Sequence, residues 1–185
     1  MAASVEVEGL FTAAVREVQA RRGSRRAYDR FEARGGFRDT ITPELASFIA
    51  ARDSFFFATA SAQGQPYVQH RGGPLGFLRV LDERTLAFAD YRGNRQYVTV
   101  GNLAENDRVF VFLVDYRNQA RIKLWGTARV VEDDTELVAR LTPPDYDARA
   151  ERAILITVAG WDANCPQHIP RLYDAAEVSR LACPG

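Results

Sequence analysis

The stretch SFFFATASAQGQPYVQH, residues 54–70, decides the fold class of this chain. It holds two short β-rich runs, Ser54 to Ala60 and Pro66 to His70, which are separated by the turn sequence Ala62-Gln63-Gly64-Gln65. Short runs of this composition joined through a glycine-containing turn are typical of a β-hairpin. The stretch therefore predicts an antiparallel sheet and argues against alternating β-α-β units.

Further runs of the same kind follow along the chain. They are Gly76 to Leu81, Thr85 to Ala89, Arg108 to Val114, Arg121 to Val131 and Ala153 to Ala159. Short helices are expected at Arg95 to Glu105 and Asp134 to Leu141, and another around Ala175 to Leu181. Six or seven strands with hairpin-sized connections favour a small barrel, because closure removes exposed sheet edges. We predict a mainly β (α+β) protein with mostly antiparallel strands and flanking helices.

The first fifty residues have a helical pattern instead. Apolar residues recur at helical spacing from Leu10 to Val18, and Gly23 is a natural helix end. Thr42 is a good N-cap, and Pro43 follows at the first helical position. We predict an N-terminal helical arm over residues 1–50 and a barrel with a C-terminal tail over residues 51–185, in a single domain overall.

Composition excludes several classes of protein. With 185 residues, 46% hydrophobic and 26% charged, the chain has the make-up of one globular domain. Its 24 basic and 24 acidic residues cancel, so nucleic acid is an unlikely partner. The arginine-rich segment Arg16 to Arg38 and the acidic segment Glu132 to Glu151 favour solvated or complementary faces, with a nucleic-acid arm as the alternative. Without an apolar run of about 18 residues or a signal peptide, we expect a cytoplasmic protein with no membrane partner.

The sequence gives little support for a metal site or for a nucleophilic catalytic residue. Cys165 and Cys183 are too few for a disulfide framework. Cys165 and His168 have a metal-like spacing, but no segment offers further ligands, so we predict no metal site. The nucleophile elbow, the P-loop and the zinc-helix motif are all absent, and we assign no catalytic side chain.

Three polar clusters, each at the end of a predicted strand, are candidate binding elements. They are Gln69-His70-Arg71-Gly72-Gly73, the segment Asp90 to Gln96, and the segment Trp161 to His168. The first two offer guanidinium groups and backbone amides to an anion, and the second is expected to open a helix. The third offers an indole and several amides to a flat heteroaromatic ring. Ordinary hairpin, cap and surface-loop roles are the alternatives.

These pieces resemble a known family. The segments FFFATASAQGQPYVQHRGG, LAFADYRGNRQY, NLAENDRVFVFL and RIKLWGTARVV, between Phe55 and Val131, are similar to the flavin-binding split-barrel superfamily that contains pyridoxamine 5'-phosphate oxidase. The tail WDANCPQHIP resembles that of a subgroup of oxidase-related FMN-binding proteins. The likeness covers roughly residues 45 to 170 and implies an FMN-binding split β-barrel.

The resemblance also implies an obligate homodimer with FMN held at the subunit interface and an oxidoreductase activity on a small molecule. Arg71 and Arg95 would neutralise the phosphate, and either His70 or His168 could move a proton. The cofactor-binding residues that it implies are Gln69, His70, Arg71, Asn94, Arg95, Gln96, Lys123, Trp161, Asn164, Gln167 and His168.

Departures from the oxidase pattern bear on the substrate. The first strand motif lacks its closing lysine, and the phosphate loop Asn94-Arg95-Gln96 keeps one cation where the oxidase has two. We therefore expect a substrate other than a vitamin phosphate. The alternative function is a non-catalytic flavin or haem carrier or a redox sensor, since both cysteines precede proline. A deazaflavin in place of FMN also stays open.

Overall fold

The computed structural model describes residues 7, 9–163, 167–173, 175, 178 and 179. The helices are α1 (Ala13–Arg21), α2 (Arg25–Ala33), α3 (Pro43–Ala50), α4 (Val98–Glu105) and α5 (Thr135–Leu141). The strands are β1 (Ser54–Ala60), β2 (Pro66–Gly72), β3 (Arg79–Val80), β4 (Thr85–Tyr91), β5 (Arg108–Asp115), β6 (Ala120–Val131) and β7 (Ala150–Ala163). Among these described residues, none of the helices has the length and apolar character that crossing a bilayer requires.

All seven strands form one sheet in the order β2-β1-β5-β6-β7-β4-β3. Every neighbouring pair is antiparallel. This arrangement confirms the predicted α+β split barrel. The third predicted run, Gly76 to Leu81, is the weakest match, because only Arg79 and Val80 pair with a neighbour.

Ring contacts show that the sheet curls round onto itself. β1 and β4 are separated in the sheet by β5, β6 and β7, yet the Phe55 and Phe88 ring centroids are 5.3 Å apart. Both rings are almost completely buried, with Phe57 and Phe77 beside them. The inner face of the sheet thus surrounds one aromatic and aliphatic core, which leaves a seam where the two ends of the sheet approach each other.

Helices cover two parts of this barrel. α3 begins as predicted, with Thr42 Oγ1 accepting from Leu45 N at 3.3 Å, and it buries Leu45 and Ile49 in the main core. α5 packs through Leu137 and Leu141 on the other side of β4 and β7. β4 is consequently buried on both faces.

The N-terminal segment docks on the outer face of the barrel through aromatic rings. Phe37 lies 5.0 Å from the Trp125 ring and 6.0 Å from the Phe11 ring, measured between centroids. Gly160 allows this approach, because a Cβ there would lie 2.5 Å from Val7 Cγ2 and 3.1 Å from Phe37 Cβ. The described part of the arm therefore contacts the barrel. The division into an arm and a barrel at residue 50 stays a prediction.

Candidate functional site

The candidate site is a cleft at the seam of the barrel. It has a volume of about 50 Å³, is open to solvent, and lies between β2, β4 and the start of α4. The predicted binding residues that line it are Gln69, Arg71, Asn94, Arg95 and Gln96. Alternation along β2 explains the first two, because Gln69 and Arg71 share one face of that strand. Two separate sequence clusters thus meet in one cleft.

Arg71 of β2 and Asp90 of β4 form an ion pair across the seam. Arg71 Nη1 donates to Asp90 Oδ1 at 2.5 Å, and the two side chains are only 12% and 11% exposed. The guanidinium also lies over the Phe88 ring, 5.7 Å from its centroid. Arg71 Nε is buried and has no hydrogen-bond partner among the residues described. Asp90 therefore satisfies only some of the hydrogen-bond donors of Arg71.

Arg152 of β7 lies beside this pair and is surrounded by acids. Its nitrogen atoms lie 3.8 Å from Asp90 Oδ2, 3.3 Å from Glu132 Oε1 and 3.0 Å from Glu151 Oε2. Its side chain is 10% exposed, and its Cζ lies 5.2 Å from the centroid of the Tyr97 ring. These carboxylates offset the charge of Arg152, although its buried Nε has no hydrogen-bond partner among the described residues. Arg152 is not among the residues that line the cleft.

The loop over residues 93–97 is held in an unusual conformation. Arg95 and Tyr97 both have left-handed backbones, with φ of 62° and 54°. Such residues cost about 1–3 kcal/mol each and persist only where the surroundings hold them. Asn94 Oδ1 accepts from Gln96 N at 3.1 Å, and a side-chain hydrogen bond with Tyr97 raises the pKa of Arg95. A guanidinium stays charged at ordinary pH, so the exposed Arg95 is a cation at the opening of the cleft.

This loop corrects one sequence prediction. Arg95 and Gln96 were expected in the first turn of a helix, but α4 begins at Val98. Two left-handed residues cannot belong to a right-handed helix, so the helix starts only after Tyr97.

Hydrogen bonds tie α4 to the strands beside the cleft. Thr99 Oγ1 donates to Gln69 Oε1 at 3.1 Å, and Asn102 Nδ2 donates to Thr59 Oγ1 at 2.9 Å. Gln69 is thereby oriented with its amide nitrogen left to donate to a ligand. Tyr91 also lines the cleft, and its ring lies 5.2 Å from the Tyr146 ring between centroids. Its hydroxyl has no partner among the described residues, and burial raises its pKa, with Tyr146 adding to the effect.

His70 lies on the opposite face of β2 from Gln69 and Arg71. It lines a second cavity of about 380 Å³, together with Phe56, Tyr116 and Tyr173. The outer face carries Lys123 as well, since His70 pairs with Phe56, Phe56 with Phe112, and Phe112 with Lys123. Within this chain, His70 and Lys123 are therefore separated from the cleft by the sheet.

The tail residues also lie apart from the cleft. Trp161 Nε1 donates to Thr40 O at 2.9 Å, and the Arg38 guanidinium lies 5.7 Å from the indole centroid. Gln167 and His168 are exposed. Asn164 lies outside the described residues, as do both cysteines, so the structure does not bear on the cysteine-proline dipeptides.

Sequence reasoning did not single out Tyr97, Thr99 or Arg152. Arg152 carried a usable signal, because alternation places it on the same face as the core residues Ile154 and Ile156. A charged residue on the inner face of a strand needs a buried partner. Nothing local identified that partner as Asp90.

Comparisons with known proteins agree with this fold. The profile of the family Pyridoxamine 5'-phosphate oxidase matches residues 41–165. A search of the curated proteins found no match.

Several solved structures have the same fold at low sequence identity. HupZ of Group A Streptococcus is 18% identical with a TM-score of 0.56, over 72% of this chain and 99% of that chain. An FMN-binding protein from Syntrophomonas wolfei is 13% identical with a TM-score of 0.51, over 79% and 97% of the two chains. A protein from Clostridium acetobutylicum, related to general stress protein 26 of B. subtilis and of the pyridoxinephosphate oxidase family, is 16% identical with a TM-score of 0.50, over 73% and 94%.

Proposed function

Because this chain belongs to the pyridoxamine 5'-phosphate oxidase family, we propose that it is an FMN-binding flavoprotein. The observation that carries the proposal is the seam cleft, where Arg71 and Arg95 from distant parts of the chain face one space. We further propose that it is an oxidoreductase of the cytoplasm acting on a small-molecule substrate, and that the flavin lies at a homodimer interface.

The residues at the cleft fit the phosphate and ribityl end of such a cofactor. Arg71 Nε is a buried donor whose hydrogen bond is unmade within the described chain. The amides of Gln69 and Gln96 and the guanidinium of Arg95 add donors that suit phosphate and hydroxyl oxygens. Asp90 offsets part of the positive charge, so Arg95 would supply most of the attraction for the phosphate.

The protein itself would bind the cofactor and orient it. Bound FMN would supply the hydride chemistry. Arg95 would hold the phosphate at the mouth of the cleft, Gln69 would donate to an acceptor deeper in it, and Thr99 would keep that amide in place.

An exposed apolar face supports the homodimer. Phe56 and Val68, on the outer face of β1 and β2, are 37% and 59% exposed, beside the partly buried Phe110 and Phe112. Burial of this patch against a second copy would bring outer-face groups such as His70 close to a cleft of the other protomer. The proposal therefore accounts for predicted cofactor residues on both faces of one sheet.

The test is to identify what the purified protein binds. We expect flavin absorption bands, release of the chromophore by heat, and a mass equal to that of FMN. A colourless protein that takes up no FMN on titration would overturn the proposal, and a Soret band would favour a haem-binding function.

The oxidoreductase and dimer proposals have separate tests. Reduced nicotinamide nucleotides should reduce the bound flavin and bleach it anaerobically, themselves becoming oxidised, and an electron acceptor should restore the colour. Sedimentation should give twice the monomer mass, and Phe56→Lys should shift it towards the monomer with loss of flavin. A wild-type monomer that binds FMN tightly would overturn the interface proposal alone.

A further inference from the structure

Arg95, the exposed cation of the cleft, lies in a loop with a strained backbone. Arg95 and Tyr97 both have left-handed backbones, and the hydrogen bond from Gln96 N to Asn94 Oδ1 is local to the loop. The backbone strain needs an anchor in the body of the barrel.

The ring of Tyr97 connects this loop to Arg152 in the barrel. It lies over the guanidinium of Arg152 at 5.2 Å, which is within cation–π distance. Tyr97 is 44% exposed, so Arg152 covers only part of its side chain. Arg95 lies two residues before Tyr97 in the same loop, so the loop backbone continues the connection from the barrel to the guanidinium that would bind the phosphate.

Arg152 is fixed from several directions. Asp90 belongs to β4, Glu151 to β7, and Glu132 follows the end of β6. A planar guanidinium with five donors can meet acids from separate elements, which an ammonium group on a flexible stem does less well. The ring of Tyr97 therefore rests on a surface whose position the sheet sets.

We propose that Arg152 and Tyr97 are positioning residues, which fix the loop over residues 93–97 so that the cleft selects phosphorylated ligands over their unphosphorylated forms. This inference rests on the proposed function and deepens it. Neither residue needs to touch the ligand, since Arg152 acts through Tyr97 and Tyr97 acts through Arg95.

The test compares FMN with riboflavin, which lacks the phosphate. Wild-type protein is freed of chromophore, and both affinities are measured by titration for wild type, Tyr97→Leu and Tyr97→Phe. The leucine variant should lower the FMN-to-riboflavin affinity ratio by about 2- to 30-fold, the range that corresponds to a cation–π contact, with riboflavin affinity unchanged. The phenylalanine variant keeps the ring over Arg152 and should stay within about twofold of wild type.

A second variant tests the route through Arg152. Arg152→Lys keeps the charge but loses the planar fork, and urea unfolding establishes that it is folded. If Tyr97 acts through Arg152, Tyr97→Leu should lower the ratio less in this background than in wild type. Additive effects would overturn that route.

The outcomes separate the two proposals. Wild-type protein that binds neither FMN nor riboflavin overturns the proposed function. Wild-type protein that binds FMN, with an unchanged ratio in Tyr97→Leu or an equal loss for both ligands, overturns only the positioning inference. A ratio that falls as far in Tyr97→Phe as in Tyr97→Leu overturns it as well, because the ring would then not be the element that matters.

Discussion

Arg71 and Asp90 join the two ends of the curled sheet through a buried ion pair, with Nη1 of one 2.5 Å from Oδ1 of the other. β2 is the first strand in the sheet order and β4 the last but one, so no backbone ladder joins them. The barrel is closed here by side chains. A cleft can open at this position because the strands are not hydrogen-bonded to each other.

Removal of the Asp90 carboxylate should weaken the whole fold. In Asp90→Ala, Arg71 loses its partner and Arg152 loses one of its acids, which leaves buried positive charge uncompensated. We expect the free energy of unfolding to fall by about 3–5 kcal/mol, measured by urea denaturation. The exposed Asp133→Ala is the control and should change it by less than about 0.5 kcal/mol. A similarly small effect for Asp90→Ala would show that the pair does not hold the seam.

Arg95→Ala tests whether the Arg95 guanidinium binds the phosphate of FMN. The charge-assisted hydrogen bond that it would make to a phosphate corresponds to about 1.5–3 kcal/mol, so FMN should bind roughly 10- to 150-fold more weakly by titration. Arg26→Ala, on the exposed face of α2, removes the same charge elsewhere and should leave the affinity unchanged. Equal FMN affinity in Arg95→Ala and wild type would contradict the assignment.

Two glycines should respond in opposite directions to alanine. A Cβ at Gly126, beside the β6–β7 bulge, would lie 2.1 Å from the backbone oxygen of Thr157. Gly126→Ala should therefore cost about 1–3 kcal/mol or more, because backbone has to move. Gly101 lies within α4 with open space around it, so Gly101→Ala should stabilise the protein by about 0.5–1 kcal/mol. Thermal unfolding of the two variants measures both effects, and a stable Gly126→Ala would contradict the close strand approach.

Asp115 should make stability depend on acid pH. Burial raises the pKa of Asp115, but hydrogen bonds from Asn118 and the Arg52 guanidinium outweigh it, and the net shift is downward. A lowered pKa in the folded state adds stability that is complete above the ordinary value of 3.8 and is lost as the pH falls through the folded value.

In Asp115→Asn, the free energy of unfolding should therefore fall less steeply with pH below about 4 than in wild type. Urea unfolding over a series of acid pH values measures the slope. Asp133→Asn, at an exposed site, should keep the wild-type slope. Identical slopes in Asp115→Asn and wild type would show that another carboxylate controls the acid response.

Local sequence signals predicted most of the elements. The hairpin of β1 and β2, the Thr42 cap and the strand pattern from Arg108 to Val131 each depend on neighbouring residues. The predicted start of α4 was wrong because Arg95 and Tyr97 are left-handed, and the local sequence carried no signal for left-handed residues at these two positions.

The sequence by itself determined where strands and turns lie, and it placed the guanidinium and amide donors at strand ends. These features follow from side-chain alternation, turn residues and caps, which act over a few positions. Only the tertiary structure decided that Arg71 meets Asp90, that the Arg152 guanidinium lies against the Tyr97 ring, and that His70 faces away from Gln69. Those relationships come from the curvature of a sheet whose ends are far apart in strand order, and short-range patterns do not encode that curvature.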